Sequence, residues 1–348
     1  MNKRILITGG AGFVGNVVVK EFLLKGYAVK VFDKLIFDGE LLKKFKSRIE
    51  LIQGDIRNFD ENILNDVSSV IHLAGFSNDP MAEYSPEINN QINTLGTKRI
   101  AEACARKGIN RFVYASTASI YDGGVSGNIK LQDENSEVTP RAAYSISKYN
   151  AERELLKIMK EYPNFCPVIL RKGTIFGYSP RMRFDLVVNT FVKEAFLNKK
   201  LVAFCRGAQW RPLVDVNDVA RAYVACIEAE EEKVKGQIFN IVQSNYQIMD
   251  VAHRVKYALK GFVNDIDVEI DYGEDKIDRS YKILGKKIEE VLGFRYHISI
   301  EDSVKKIAEK IKEGEFLDLR NPLYYNIRWI EFLIEIEKKL KEMGGSVF

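Results

Sequence analysis

The chain has 348 residues, of which 46% are hydrophobic and 29% charged, as in an ordinary folded protein. The 52 basic and 48 acidic residues leave a net charge of +4, which is too balanced to indicate nucleic-acid binding. No apolar run is long enough to span a membrane, and a strand at the N-terminus leaves no room for a signal peptide. We therefore expect a cytoplasmic protein without a membrane partner.

The four cysteines also indicate a cytoplasmic protein. They are widely spaced and match neither a zinc-binding pattern nor a disulfide framework. Reduced, buried thiols are expected, as in a cytoplasmic protein, and no metal site is predicted. The residues concerned are Cys104, Cys166, Cys205 and Cys226.

The first predicted elements are a strand at 4–8, a glycine-rich segment and a helix that runs to about Lys25. Of three spaced glycines, the first permits a tight turn, the second lets a pyrophosphate approach, and the third lets helix and strand pack closely. The helix N-terminus offers free N–H groups to phosphates. The order of strand, glycines and helix indicates a dinucleotide site rather than a plain turn. The residues assigned to the cofactor here are Gly9, Gly12, Phe13, Val14 and Gly15.

The second predicted strand, 28–32, ends in Asp33. A carboxylate at this place can accept hydrogen bonds from the adenosine ribose and repels a 2′-phosphate, so it indicates NAD rather than NADP. Lys34, also assigned to the cofactor, is the one feature that weakens this preference.

Two more strands are predicted at 49–53 and 69–73, and their ends should line the cofactor crevice. His72, inside the fourth strand, is interpreted as a core residue rather than a catalytic one. A loop is predicted from 76 to 91, facing the substrate, and a helix from 94 to 107. The cofactor residues assigned here are Asp55, Ile56, Leu73, Ala74, Gly75 and Asn93.

A buried strand predicted at 111–115 leads to Ser116 and Thr117, and a later helix begins near Tyr144 and runs to about residue 161. Tyr144 and Lys148 are four residues apart and share one face of that helix. A nearby ammonium favours the phenolate and lowers the pKa of the tyrosine, which can then act as a general base. The Thr117 hydroxyl is placed to pass the proton between substrate and Tyr144.

These motifs occur in a fixed order. They are Gly9-x-x-Gly12-x-x-Gly15, Asp33, Asp55-Ile56, His-Leu-Ala-Gly at 72–75, Asn93 with Gly96-Thr97, Ser116-Thr117 and Tyr144-x-x-x-Lys148. The set resembles the extended short-chain dehydrogenase/reductases, most closely their nucleotide-sugar epimerase/dehydratase branch. The resemblance covers about residues 3 to 295.

The resemblance implies an α/β fold: a Rossmann-type, doubly wound parallel sheet with a smaller C-terminal α/β substrate domain. The NAD-binding domain is expected over 1–175, with a return segment at about 208–243. The substrate-binding domain is expected over 176–207 and 244–348, with an amphipathic helix at 327–343 packed on it. Relatives pair through helices that correspond to 94–107 and 142–161, so a homodimer is expected.

By the same resemblance, Thr117 and Tyr144 handle the proton, while Lys148 holds the nicotinamide ribose. Two arginines clamp the nucleotide diphosphate with their planar, bidentate donors. The segment 179–189 resembles one in nucleotide-sugar epimerases and heptose 4-dehydrogenases of polysaccharide synthesis, where it either contacts the substrate or folds over the site. The substrate-binding residues expected are Ser116, Thr117, Arg181, Arg183, Asn189, Arg211 and Arg279.

The chain departs from the family pattern at two places, and the first of them narrows the predicted reaction. The 4,6-dehydratases of this family carry Asp-Glu directly after the catalytic threonine, where this chain has Ala118 and Ser119, and Asp215 stands where many relatives have histidine. The function predicted is NAD-dependent oxidation of a nucleotide-sugar at C4 through a 4-keto intermediate, as in a 4-epimerase. The alternatives are a nucleotide-sugar 4-dehydrogenase or 4-ketoreductase, and a catalytically silent NAD-binding protein.

Overall fold

The computed structural model describes residues 4–37, 42, 45, 47–121, 130–272 and 280–344. Apolar, β-branched runs form strands close to where the sequence predicts them. The strands are β1 Arg4–Thr8, β2 Ala28–Asp33, β3 Ile49–Gln53, β4 Ser69–His72, β5 Arg111–Thr117, β6 Leu131–Gln132, β7 Cys166–Lys172, β8 Thr174–Phe176, β9 Lys200–Ala203, β10 Trp210–Asp215, β11 Ile238–Ile241, β12 Ser244–Gln247, β13 Asp267–Ile270 and β14 Lys282–Ile283.

Among the described residues, seven strands form one parallel sheet in the order β3-β2-β1-β4-β5-β7-β11. In β1, Ile5 and Ile7 pack on one face and Leu6 on the other, and all three are fully buried. A parallel sheet is covered by helices on both faces, which explains why its strands carry apolar side chains on both faces. The strand order reverses between β1 and β4, where such folds bind nucleotides. The predicted Rossmann-type fold is confirmed.

The helices that cover the sheet form on both of its faces. α1 packs against α7 on one face, and α4 packs against α5 on the other. Within the described ranges, no helix is long and apolar enough to cross a membrane. The helices are α1 Phe13–Leu24, α2 Asp79–Tyr84, α3 Pro86–Asn89, α4 Thr97–Arg106, α5 Ala143–Glu161, α6 Val187–Asn198, α7 Val216–Glu228, α8 Glu231–Val234, α9 Ile248–Ala258, α10 Lys287–Leu292, α11 Ile300–Lys312 and α12 Asn326–Glu342.

The prediction of a loop at 76–91 is wrong, because this segment contains α2 and α3. The side chain of Asn78 accepts a hydrogen bond from the Met81 N–H at 3.3 Å and caps α2. Pro80 and Pro86 lie in the first turns of their helices, where a fixed φ suits the helix and no N–H is needed. The prolines therefore mark helix starts rather than a loop.

Of the strands in the return segment, 208–243, only the last one, β11, joins the main sheet. β11 pairs with β7 in parallel, as predicted. β10 instead pairs with β8 and β12 in a separate small sheet. β9 pairs with β13, and α6, α9 and α11 pack against one another beside them. These elements correspond to the predicted substrate-binding part, whose boundaries stay a prediction.

The last helix, α12, also contacts the nucleotide-binding part of the chain, which the sequence did not predict. The indole N–H of Trp329 donates to the carbonyl of Ile36, directly after β2, at 2.6 Å. The amide of Asn326 donates to the Ser77 hydroxyl at 2.8 Å. An indole has an apolar body and a single donor that must be satisfied when buried, so Trp329 fixes the helix to one carbonyl.

Candidate active site

The glycine-rich turn between β1 and α1 is shaped by close backbone contacts. Gly9 has φ +71°, and a Cβ there would lie 2.6 Å from the backbone nitrogen of Ala74. A Cβ on Gly15 would overlap the Gly9 carbonyl oxygen. On Gly12 it would meet only that oxygen, at 3.3 Å. The turn is thus packed on two sides and open at Gly12, beside the N-terminus of α1, where a phosphate can approach.

Asp33 closes this turn at the end of β2. Its carboxylate accepts hydrogen bonds from the N–H of Ala11 at 2.9 Å and of Leu35 at 2.8 Å. Burial raises the pKa of Asp33 above its usual value, although these two hydrogen bonds oppose the shift. The carboxylate therefore lies directly beside the turn, as a ribose-binding group should.

Lys34 points away from Asp33 toward the end of β3. Its ammonium contacts the carboxylate of Asp55 at 2.9 Å, and Arg57 contacts the same carboxylate at 2.6 Å. Burial alone would raise the pKa of Asp55, but the hydrogen bonds from Arg57 and Lys34 hold it below its usual range. Because Lys34 is committed to this ion pair, it does not offset the charge of Asp33 as a free lysine would. Ile56, which follows, is buried.

His72 is confirmed as a core residue. It is fully buried, with its Nδ1 atom 2.7 Å from the Thr8 hydroxyl and its Nε2 atom 3.0 Å from the Thr97 hydroxyl. Burial lowers the pKa of His72 to about 3, so the ring is neutral. Both ring nitrogens hold neighbouring elements together, and neither is available for catalysis.

Asn93, Gly75 and Lys148 meet at the carboxyl end of β4. The amide nitrogen of Asn93 donates to Asn89 at 2.8 Å and to the Ser147 hydroxyl at 3.1 Å. Its Oδ1 atom is buried and has no hydrogen-bond partner among the described residues. A Cβ on Gly75 would lie 2.5 Å from that oxygen and 3.2 Å from the Lys148 ammonium. Gly75 therefore lets a free acceptor and a cation approach its backbone more closely than a side chain would allow.

The predicted catalytic residues come together at the end of β5 and the start of α5. Tyr144 is buried, and the Thr117 hydroxyl is near enough to lower its pKa. The Thr117 oxygen lies 2.6 Å from that of Ser119, which the sequence analysis treated only as the absence of an acid. The Lys148 ammonium donates to the carbonyl of Ala115 at 3.1 Å. The hydroxyls of Tyr144, Thr117 and Ser119 therefore gather near one buried cation.

The sequence analysis predicts a lowered pKa for Tyr144, and this direction is wrong for the protein without ligands. Burial raises the pKa of Tyr144 above its usual value, and the nearby Thr117 hydroxyl and the charge of Arg183 only oppose this shift. Asp79, at the start of α2, adds to the rise. Burial also lowers the pKa of Lys148, to about 8. Loss of hydration, which sequence spacing cannot reveal, outweighs the attraction between opposite charges here.

Glu152 is a buried residue that the sequence analysis missed. It lies one turn beyond Lys148 on α5, and its carboxylate accepts the Ser116 hydroxyl and two donors of Arg171, at 3.1 and 2.7 Å. Arg171 also donates to the Tyr121 hydroxyl at 2.7 Å. Ser116, predicted to bind substrate, therefore turns inward to Glu152. The repeat of Tyr144, Lys148 and Glu152 at four-residue spacing was the available signal.

The site residues predicted in and just after the loop between β8 and α6 have different surroundings. Arg183 pairs with Asp185 at 2.8 Å and donates to Ser77 at 3.3 Å, and its charge acts on Tyr144. Asn189 is buried, with hydrogen bonds to the Gly177 N–H at 3.0 Å and to the Arg183 carbonyl at 2.9 Å. Asn189 therefore shapes the loop instead of facing a ligand, which is the second of the two predicted interpretations.

Arg181 differs from its prediction, because it is buried against the Phe37 ring and Asn326 rather than extended toward a substrate. Arg211 lies on β10, where it donates to the Trp210 carbonyl at 3.0 Å. Arg279 is outside the described residues. Asp215, at the position of histidine in many relatives, caps α7 through the N–H of Asn217 at 2.7 Å.

The parallel sheet, the glycine turn and the Tyr144–Lys148 helix define a short-chain dehydrogenase type of fold. The model of the NAD dependent epimerase/dehydratase family matches residues 5–242, and the chain belongs to that family. A putative UDP-glucose 4-epimerase of Methanocaldococcus jannaschii is 29% identical over 318 residues, 89% of this chain and 99% of the relative. A dTDP-D-glucose 4,6-dehydratase of Mus musculus is 26% identical over 323 residues, 88% of each chain.

Solved structures share the fold. A UDP-glucuronic acid 4-epimerase from Bacillus cereus, in complex with UDP-glucuronic acid and NAD, has a TM-score of 0.75 to this chain. It is 24% identical, and the match covers 89% of this chain and 99% of that one. The family's cofactor is NAD. The open turn at Gly12, the carboxylate of Asp33 and the unpartnered Asn93 oxygen beside Gly75 all fit it.

Gly12 and Gly15 provide a matched pair of substitutions. Gly15→Ala should lower the free energy of unfolding by about 1–3 kcal/mol, because its new methyl group overlaps a backbone oxygen. Gly12→Ala should leave stability within about 1 kcal/mol but weaken NAD binding at least about tenfold, because the methyl group occupies the phosphate approach. Urea unfolding and calorimetric NAD titration measure the two effects. Equal losses of stability in both variants would contradict this description of the turn.

Lys148 should make stability depend on pH in the absence of ligands. Its folded-state pKa of about 8 lies below the ordinary 10.5, so the unfolded chain binds more protons between these values. Stability should then rise as the pH increases through that window. Lys148→Met should stabilise the protein by roughly 3 kcal/mol at pH 7, and the gain should shrink above pH 10.

Thermal unfolding at both pH values tests this expectation. Lys160→Met, on an exposed position of the same helix, is the control and should change little. A Lys148→Met variant that is less stable than the wild type at pH 7 would show that the burial cost is compensated within the site.

Proposed function

We propose that this protein is a nucleotide-sugar 4-epimerase that oxidises the C4 hydroxyl and reduces the resulting 4-keto intermediate on its other face. The observation that carries the proposal is the grouping of the Tyr144, Thr117 and Ser119 hydroxyls near the Lys148 ammonium. The similarity to a putative UDP-glucose 4-epimerase along nearly its whole length supports the same reaction.

The proton steps belong to Tyr144 and Thr117. Tyr144 accepts the proton of the C4 hydroxyl, directly or through Thr117, and returns it when the ketone is reduced. Ser119 holds the Thr117 hydroxyl at 2.6 Å and so fixes the orientation of the relay. Bound NAD⁺ supplies the hydride acceptor and a positive charge that favours the phenolate. In its absence, the raised pKa keeps Tyr144 protonated near neutral pH.

The remaining proposed roles concern binding. Lys148 is proposed to hold the nicotinamide ribose, since its ammonium lies beside Gly75 and the unpartnered Asn93 oxygen at the end of β4. Arg183 lies on the Tyr144 side of its loop and is proposed to contact the sugar or its phosphate. Arg211 and Arg279 are proposed to clamp the diphosphate, with planar donors suited to it.

Elimination of water is not part of the proposal. After Thr117 the chain forms a short 3₁₀ helix, Ala118–Tyr121, in which Ala118 is fully buried and the Ser119 hydroxyl is bonded to Thr117. Neither side chain can act as an acid or base at neutral pH. Asp79, at the start of α2, acts electrostatically on Tyr144 and is assigned no acid or base role in this proposal.

The test is incubation of the protein with NAD and UDP-, GDP-, dTDP- or CDP-sugars, followed by chromatography and mass spectrometry. An epimerase gives a product of unchanged mass with altered retention. A product lighter by two hydrogens, with NADH absorbance, would assign a dehydrogenase, and oxidation of added NADH by a 4-keto sugar a ketoreductase. A product lighter by one water would contradict the proposal, and no turnover with any sugar would favour a silent NAD-binding protein.

Tyr144→Phe should lower turnover at least about a hundredfold while leaving NAD affinity within about twofold, because only the proton acceptor is lost. Tyr149→Phe is the matched control, since Tyr149 lies on the same helix but lines a different cavity. Turnover by the Tyr144→Phe variant within about tenfold of wild type would remove this residue from the mechanism.

We also propose a homodimer. Ile88, Leu95 and Ile146 are exposed by 39%, 48% and 40%, on segments that pack beside each other around α5. Apolar side chains gathered on adjoining helices are typical of an interface. Leu95→Glu should shift the sedimenting species from two chains to one. A wild-type protein that already sediments as one chain would contradict the proposal.

A further inference from the structure

Arg181 is held in an unusual environment for a charged side chain. It is 3% exposed, and its guanidinium carbon lies 3.9 Å from the centre of the Phe37 ring. One terminal nitrogen donates to the Asn326 side-chain oxygen at 2.6 Å. Its Nε atom is buried and has no hydrogen-bond partner among the described residues. A buried donor without an acceptor costs stability, so such a group points to an acceptor supplied by a ligand.

The surroundings of Arg181 place that acceptor on the cofactor side of the crevice. Arg181 and Asp33 influence each other electrostatically, and Phe37 follows Asp33 in the same segment. Ser179, two residues earlier, donates to the carbonyl of Phe13 at the glycine-rich turn, at 2.7 Å. Arg183, two residues later, acts on Tyr144 instead. The two arginines of this loop therefore serve different halves of the site.

The last helix keeps Arg181 in place. Besides accepting from Arg181, Asn326 donates through its side chain to Ser77 at 2.8 Å and through its backbone to Asp185 at 3.2 Å. Trp329, one turn later, donates to the carbonyl of Ile36. The Asn326 side chain thus joins the Arg181 loop to the segment after β4, and Trp329 joins the last helix to the segment after Asp33.

We propose that Arg181 is a cofactor-binding residue that acts together with Asp33 on the adenosine ribose, and that α12 belongs to the NAD site because it holds Arg181 there. A ribose hydroxyl donates one hydrogen bond and accepts another. It can therefore donate to the Asp33 carboxylate and accept from the Arg181 Nε–H at the same time. The assignment concerns the cofactor alone and does not depend on which sugar or reaction is correct.

Calorimetric titration with NAD and, separately, with UDP tests the assignment without using activity. Arg181→Met keeps an apolar chain over Phe37 and should weaken NAD binding by about tenfold or more, with UDP affinity within about twofold. Arg211→Met is the matched control, with the opposite pattern expected. Arg181→Met with normal NAD affinity would overturn the proposal, whether or not its UDP affinity falls.

Asn326→Ala tests the role of the helix and covers the case in which Arg181→Met fails to fold. It leaves Arg181 in the chain but removes its partner, and should weaken NAD binding severalfold at unchanged UDP affinity. Unchanged NAD affinity in a folded Asn326→Ala variant would overturn the role of α12.

The cofactor preference offers an independent readout. Asp33→Ala removes the repulsive carboxylate and leaves an arginine able to receive a 2′-phosphate, so NADP affinity should rise about tenfold or more. In Asp33→Ala combined with Arg181→Met, that gain should disappear. NADP affinity that rises equally in both variants would show that Arg181 does not face the adenosine ribose.

Discussion

The buried ion pair between Glu152 and Arg171 is the contact on which the proposed catalytic geometry depends. It joins α5 to β7, and through the Ser116 hydroxyl it also joins α5 to β5. A buried charge can be tolerated only when its partner and hydrogen bonds are complete, and loss of one partner typically costs about 3–5 kcal/mol. The three elements are therefore constrained to one arrangement, and Thr117 and Tyr144 are carried by two of them.

This arrangement explains why the site is strongly desolvated. Tyr144 and Lys148 lie on the same face of α5 as Glu152, so the packing that buries the ion pair also buries them. Burial disfavours the charged form of each group, which is why the pKa of Tyr144 rises and that of Lys148 falls. Glu152 partly restores the charge on Lys148. The electrostatic balance of the site is thus set by tertiary packing as much as by the tyrosine–lysine spacing.

The sequence predicted the local features well and the long-range ones poorly. The β1 strand, the glycine turn, Asp33 and the α5 face follow from nearest-neighbour patterns, and the structure has them in place. Pro80 misled the prediction because proline favours both loops and helix starts. Ser116 and Arg181 could not be assigned, since their orientations are decided by Glu152 and Asn326, which are distant in sequence. Periodicity carries no information about such partners.

The loop between β8 and α6 links the parts of the site that spacing alone cannot connect. Ser179 bonds to the glycine-rich turn, Arg181 and the Asp33 carboxylate affect each other electrostatically, and Arg183 acts on the proposed catalytic tyrosine. Asn189 commits its amide to the backbone of this loop, which leaves the loop little freedom. A displacement at any one of these contacts must therefore be shared by the others. One short loop therefore connects the contact proposed for the cofactor, at Arg181, with the contact proposed for the substrate, at Arg183.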